Sequence, residues 1–215
     1  MVHAPAPPVP RSPRFEFSAA PRRWLAGDPV ATHLVNAVNL LFPAGERFFV
    51  RSVHRHLERA LDPALLARAK GFEKQEGHHA RAHEQWFAAL EAQGFRVRGF
   101  LGAYQGVCFG AIEKVAPAAL ALSVTAAAEH FTALMARDAL ALGVLDRAWP
   151  ELKRLLLWHA AEELEHKSVA FDVLGAVAPG YPLRAAGHAD RRDIPGRLVG
   201  GGGVGAPLAG AAAPC

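Results

Sequence analysis

Two short segments of this 215-residue chain carry the same three metal-ligand residue types in mirror order. The first holds Glu76, His79 and His83, spaced E-x-x-H-x-x-x-H; the second holds His159, Glu163 and His166, spaced H-x-x-x-E-x-x-H. At about 100° per residue, offsets of three, four and seven fall within an arc of roughly 60° on one helix face. Each segment, once helical, aims one carboxylate and two imidazoles at a common point. Two such helices facing each other could hold a pair of metal ions. Carboxylates bridge two cations about 3.5–4 Å apart and offset their charge. Imidazole suits iron, and mixed oxygen and nitrogen ligands suit redox-active iron better than structural zinc. No cysteine lies in the set, which also argues against structural zinc.

Helices must position these groups, and the punctuation along the chain supplies them. Asp28-Pro29 and Asp62-Pro63 each place an N-capping acid before a proline at the first helical position. The first helix is expected over 28–60, with Pro43 kinking or restarting it so that 44–60 is its firm half. The second runs from Pro63 to about Gln93 and stops at Gly94. Residues 95–108 read as a connection. A third helix is expected over 116–142 and a fourth over 150–176. Four long helices imply an all-α, up-down four-helix bundle. The helical metal-binding domain is expected over 28–187. Residues 1–27 read as a flexible N-terminal arm, and 188–215 as a Gly/Ala-rich, disordered or aberrant tail. The change of composition after Gly187 also fits a truncated or frame-shifted chain.

Within the second helix, Leu65, Ala69, Phe72, Glu76, His79, His83 and Phe87 share one face; within the fourth, Leu152, Leu156, His159, Glu163, His166, Ala170 and Val173 do. Both stripes are apolar at the ends and ligand-like in the middle, where a buried charge needs a partner. The other two helices each supply one acid in a similar place. Glu46 lines up with Val50, Val53 and Leu57, and Glu129 with Leu122, Ala133, Ala136 and Leu140. One Glu from each of two helices plus Glu-x-x-His from each of the others resembles the ligand set of ferritin-like di-iron and di-manganese carboxylate bundles.

With thirteen Glu and eleven His, about 0.7 Glu-x-x-His pairs arise by chance; the pairs gain force from their mid-stripe placement and from the two lone acids. The expected ligands are Glu46, Glu76, His79, Glu129, Glu163 and His166. His83 and His159 either ligate as well or hydrogen-bond a bound carboxylate. Glu162 and Glu165 turn away from the inner face toward solvent or a supporting role, and Glu73 lies at its edge. His54, His56 and His78 read as exposed. The competing reading is a polar core without metal. No catalytic residue is assigned beyond the metal site.

Composition excludes other classes. The net charge of +4 is spread along the chain, with no basic block interleaved with aromatics, so no nucleic-acid partner is expected. Two cysteines, Cys108 and Cys215, make no disulfide framework. Residues 1–13 are Pro-rich without the apolar core of a signal peptide. The uncharged run over 115–128 is shorter than the ~20 residues a membrane span needs. The expectation is a cytoplasmic protein acting on a small-molecule substrate, with a homodimer left open.

Three segments, 42–49 (FPAGERFF), 72–83 (FEKQEGHHARAH) and 158–172 (WHAAEELEHKSVAFD), resemble the bacterial family named predicted metal-dependent hydrolases, over residues 20–187. The resemblance implies a ferritin-like helical protein with a metal site at the positions above. Members of that family continue with further helical sequence where 188–215 does not. The His159, Glu163, His166 spacing is also similar to that of di-iron arylamine N-oxygenases, which add a third histidine. Two metal ions are expected, iron first and manganese second. Three functions follow as alternatives: O2-dependent oxidation of a small organic substrate, hydrolysis of an ester, amide or phosphate by a metal-activated water, and non-catalytic ferritin-like iron binding.

Overall fold

Both Asp-Pro signals start helices. The Asp28 carboxylate accepts from the N–H groups of Val30 and Ala31 at 2.8 and 3.1 Å, and Asp62 accepts from Ala64 and Leu65 at 3.0 Å. They open α1 (Pro29–Asn39) and α3 (Pro63–Ala92), and Pro43 sits in the first turn of α2 (Phe42–His54). The computed structural model describes residues 5–58, 62–178 and 180; the expected tail over 188–215 lies outside them. Gly94, at φ +90°, turns the chain out of α3. The connection then contains α4 (Arg98–Tyr104), a π-helical stretch (Gln105–Ile112) and the short α5 (Glu113–Val115). Pro117 precedes α6 (Ala118–Ala141). No strand occurs among the described residues; Leu25 and Ala148 form one isolated bridge.

The expected single helix over 150–176 is two, α7 (Pro150–His166) and α8 (Val169–Val177). The break falls at Lys167 and Ser168. There the Ser168 hydroxyl accepts from Arg68 at 2.7 Å and donates to Asp172 at 3.1 Å. A serine that bonds locally competes with the helical ladder.

Four helical columns, α2, α3, α6 and α7–α8, form the bundle. Their contacts give its sense. Arg47 pairs with Glu84 and His54 with Glu73, so α2 and α3 are antiparallel. Ser52 meets Thr125 while His56 meets the Ala118 carbonyl, so α2 and α6 are antiparallel too. His83 meets His159 and Arg68 meets Asp172, which sets α3 against α7–α8 in the same way. Hence α3 and α6 run parallel. Strict up-down alternation does not extend across the middle of the chain: the 93–117 connection is long enough to return to the starting end, and it does so along α2, where Arg51 pairs with Glu113.

Two apolar clusters fill the ends of the bundle. One joins Phe17 and Trp24 of the N-terminal segment to Trp86, Phe87, Leu152 and Leu155. The other joins Val53, Leu65 and Phe72 to Leu122, Val169 and Leu174. The indole N–H groups of Trp24 and Trp86 both donate to Asn36 Oδ1, at 3.0 and 3.2 Å, which satisfies two buried donors with one acceptor. The polar residues of the mirrored triads lie between the clusters. By length and composition alone α6 could cross a membrane, which is weak evidence; here it packs on α2, α7 and α8 and turns Glu129 inward.

The segment over 5–27, expected as a flexible arm, carries no helix, yet it lies against the bundle. Phe17, Trp24 and Leu25 are buried, and the Pro8 carbonyl sits so close to α3 that a Cβ on Gly71 would lie 2.6 Å from it. Ala ordinarily stabilises a helix by about 1 kcal/mol over Gly. Gly71→Ala is nevertheless expected to lower stability by about 1–3 kcal/mol and to speed limited proteolysis within residues 5–17. A variant that melts later than wild type, with the segment equally protected, would contradict this contact.

Candidate metal centre

Each bundle column contributes to one buried layer. Glu46 comes from α2, Glu76, His79 and His83 from α3, Glu129 from α6, and His159, Glu163 and His166 from α7. All eight residues are at most 4% exposed. Their period along each helix brings them to one face, and the antiparallel packing of neighbours brings the faces together.

The layer has two halves. In one, His166 Nε2 lies 2.9 Å from Glu76 Oε1 and 3.3 Å from Glu129 Oε2. In the other, His159 Nε2 lies 3.4 Å from Glu46 Oε1, and His159 Nδ1 lies 2.7 Å from His83 Nε2. Two carboxylates reach both. Glu163 Oε1 is 2.9 Å from His159 Nε2, 3.9 Å from His79 Nδ1 and 3.5 Å from His166 Nε2. Glu76 Oε1 is 4.0 Å from His79 Nδ1 and close to His166. Four overlapping triads result, each with ligand atoms within 4.8 Å of one another: Glu46–His83–His159, His79–His159–Glu163, Glu46–Glu76–His79 and Glu76–Glu129–His166.

The electrostatics fit a cation. Both carboxylate oxygens of Glu46, Glu76 and Glu129, with Glu163 Oε2, His79 Nδ1, His83 Nδ1 and His166 Nε2, are buried without a hydrogen bond. Such groups cost free energy unless another partner meets them. Burial, then the neighbouring acids, pushes Glu46 and Glu76 well above the usual carboxylate range. Burial and Glu163 push Glu129 up to about 7. Burial also opposes charge on Glu163 and His166, but the surrounding groups of opposite sign outweigh it: Glu163 is held well below its usual value and His166 well above. Burial and His159 lower His79 and His83. Three crowded acids that hold protons for want of positive charge would yield them to a metal ion.

The partners behind the layer decide which ring nitrogens face it. His79 Nε2 lies 3.0 Å from Glu162 Oε2. A carboxylate only accepts, so Nε2 carries the proton and the Nδ1 lone pair faces the cluster. Glu162 in turn accepts from the Arg11 guanidinium at 3.1 Å and from the Arg11 N–H at 3.2 Å. His166 Nδ1 donates to Gln75 Oε1 at 2.9 Å, which turns Nε2 toward the layer, while the Gln75 amide donates to Glu165 at 2.9 Å. Imidazoles that ligate metals ordinarily have their second nitrogen held in this way.

Spacing alone sent Glu162 outward, and it does leave the inner face of α7. It meets α3 and the N-terminal segment rather than water, and it is wholly buried. Gln75 and Arg11 carried no signal in the sequence: Gln75 is one residue, about 100°, away from Glu76, and Arg11 lies in an irregular segment. His56, expected exposed, is only 1% exposed, because the turn after α2 tucks it under the start of α6. His54 is exposed and pairs with Glu73 at 3.0 Å.

A cavity of about 620 Å³ opens onto this layer between α2, the π-helical crossover and α6. It reaches Glu46, His159 and Glu163, and Phe48, Phe109 and Val124 are among its walls. A second, of about 260 Å³, reaches His159 and Glu163 past Leu34, Val38 and Phe42. Ala128 and Thr132, on either side of Glu129 in α6, line the larger cavity.

The raised Glu129 has a consequence for the metal-free protein. Its pKa goes from 4.5 unfolded to about 7 folded, so the folded state keeps a proton the unfolded chain releases. The stability this contributes is fully present below about 4.5 and is lost as pH rises through about 7. The apo protein should lose up to about 3 kcal/mol from this residue by pH 8. Glu129→Gln, which mimics the protonated acid, should melt higher than wild type at about pH 8 and converge with it toward pH 5. Parallel melting curves across that range would show that Glu129 is not so placed.

Residues 9–189 match the protein family described as predicted metal-dependent hydrolase. Neither a curated protein nor a solved structure matches the chain.

Proposed function

The chain belongs to the predicted metal-dependent hydrolase family, and from that premise we propose that its buried layer holds two iron ions, with manganese the alternative metal, and carries out O2-dependent oxidation of a small organic substrate. Glu46, Glu76, His79, Glu129, Glu163 and His166 would be the ligands, with His159 and His83 adding nitrogen on the Glu46 side. One observation supports this above all: four carboxylates converge, buried, with seven of their eight oxygens lacking a hydrogen bond. Their four negative charges match two divalent cations. When bound, iron would supply the redox chemistry and Lewis acidity that O2 activation needs.

The protein's own groups have defined parts in this reading. Glu162 and Gln75 fix the ring nitrogens of His79 and His166 that face the ions. Glu76 and Glu163, in reach of both halves, would span the pair. The apolar walls keep water from the reacting atoms. Insertion of one oxygen atom into a C–H bond consumes O2, two electrons and two protons and releases water, so an external reductant is required.

The family description favours a second reading, hydrolysis of an ester, amide or phosphate by a metal-activated water. That chemistry develops negative charge on a substrate oxygen and is served by donors aimed at it. The larger cavity has no Lys, Arg, Ser, Asn or Gln among its described lining residues, and its neutral donors, Tyr104, Thr132 and His159, are set among mostly apolar walls, a lining that suits an apolar substrate better than a charged or strongly polar one. Stopped-flow absorbance after mixing reduced, iron-loaded protein with O2 tests the choice. A new band in the near-ultraviolet or visible is expected. If none develops and zinc-loaded protein turns over an ester, hydrolysis replaces oxidation. A cage-sized oligomer by size-exclusion mass would instead favour iron storage, whereas a monomer or homodimer fits an enzyme.

A further inference from the structure

The larger cavity has unlike ends. Its inner end is the metal layer, at Glu46, His159 and Glu163. At its other end Phe109 and Glu113 are shared with the lining of an adjoining cavity of about 600 Å³, which Arg51, Arg55 and Lys114 also line. Between the ends the walls are mainly aliphatic and aromatic side chains from α1, α2, the crossover and α6, with Tyr104 and Thr132 contributing the neutral hydroxyls. The basic end is not neutralised. Glu113 is its one acid, and both guanidiniums use it: Arg51 at 3.0 and 2.7 Å, and Arg55 at 3.2 Å through a single nitrogen. Lys114 makes no ion pair among the described residues. Two guanidiniums and an ammonium against one carboxylate leave an excess of two positive charges, with donors of Arg55 and Lys114 to spare. The crossover presents Gly102, Gly106 and Gly110 to this end, at the spacing of one helical face. A Cβ at Gly102 or Gly106 would meet nothing within 4 Å, so the groove there is open.

We propose that the substrate of this centre is an aliphatic chain bearing an anionic end, with its chain in the apolar cavity, its anion at Arg51, Arg55 and Lys114, and its far end at Glu46, His159 and Glu163. This rests on the reading of the buried layer as the reacting centre. The volume falls in the range of pockets that enclose a whole small ligand. An aliphatic chain matches walls that offer few hydrogen bonds, since a polar chain would leave its own groups unpaired. A carboxylate or phosphate suits paired guanidiniums. The arrangement also sets where reaction occurs: at carbons remote from the anion, because the anion is held at the other end of the cavity.

Calorimetric titration of the full-length, metal-free protein with octanoate, dodecanoate and 1-dodecanol tests this without any metal. Affinity is expected to rise about tenfold per two methylenes until the cavity is filled. Dodecanoate should bind about tenfold tighter than dodecanol. Arg55→Gln with Lys114→Gln should erase that difference while leaving dodecanol unchanged. Val124→Trp, on a half-exposed wall of α6, should block both ligands, with circular dichroism confirming that the variant is folded. Absence of dodecanoate binding, as when another part of the chain fills the cavity, overturns the proposal, as does equal binding to Val124→Trp. A preference for dodecanoate that survives the double variant overturns the anionic end. Metal taken up by the same preparations on reconstitution with ferrous iron, measured by elemental analysis, separates the two readings. Metal bound with no chain bound sinks this proposal alone; chain bound with no metal taken up leaves the binding site standing and sinks the metal reading.

Discussion

Replacing Glu76 and Glu163 together by Ala is expected to abolish metal binding. Wild-type protein purified without chelators and reconstituted with ferrous iron should hold about two ions per chain, and the double variant close to none by elemental analysis. These two are chosen because each lies within reach of both halves of the layer. Removing a single end acid, Glu46 or Glu129, leaves three carboxylates and all the imidazoles; removing the pair that spans the halves leaves neither half with more than one acid. The fold should persist. Far-ultraviolet circular dichroism of the metal-free variant should match wild type, because Glu76 is held protonated there and carries no charge away with it, and His166, without Glu163 opposite, can release its proton rather than stay buried as an unpaired cation. Unchanged metal content would mean that the layer is a hydrogen-bonded polar core and not a metal site.

Glu162→Leu is expected to weaken metal affinity by about 10–100-fold although Glu162 is not among the expected ligands. Its carboxylate holds the proton on His79 Nε2 at 3.0 Å, and without it the ring is free to turn or to present the protonated nitrogen to the layer. Arg11, half exposed, loses one of its two acids but keeps Glu165 at 2.7 Å. Glu162→Gln retains an acceptor without the charge, so it should recover part of the loss. Affinity is measured by competition with a chromophoric chelator. A merely structural role would lower the melting temperature of both variants and leave affinity and its pH profile unmoved. That outcome would remove Glu162 from the site.

The eight residues of the layer were legible because a helix repeats every 3.6 residues, so spacing alone says which side chains share a face. The capping aspartates and Gly94 were legible for a similar reason, since each acts on its own backbone neighbours. Glu162 shows where such reasoning stops. Its angle on α7 says that it leaves the inner face, but not that α3 and the N-terminal segment stand there instead of water. Gln75 and Arg11 became visible only through the partners opposite them. The same holds for the break at Ser168, which coincides with contacts to Arg68 on another helix.

By itself, then, the sequence determined that the chain is helical, where most helices begin, and which acids and imidazoles each helix presents together. Those properties depend on dihedral preferences and on periodicities within a single turn or two. Only the tertiary structure decided that α3 and α6 run parallel, that the 93–117 crossover lies along α2 to wall an apolar cavity, and that an N-terminal strap reaches Glu162. These depend on which distant surfaces exclude water against one another, and a short window of sequence carries almost no information about that choice. The ligand types are thus a local property of the chain, whereas the nitrogen each histidine turns toward them is a property of the packed bundle.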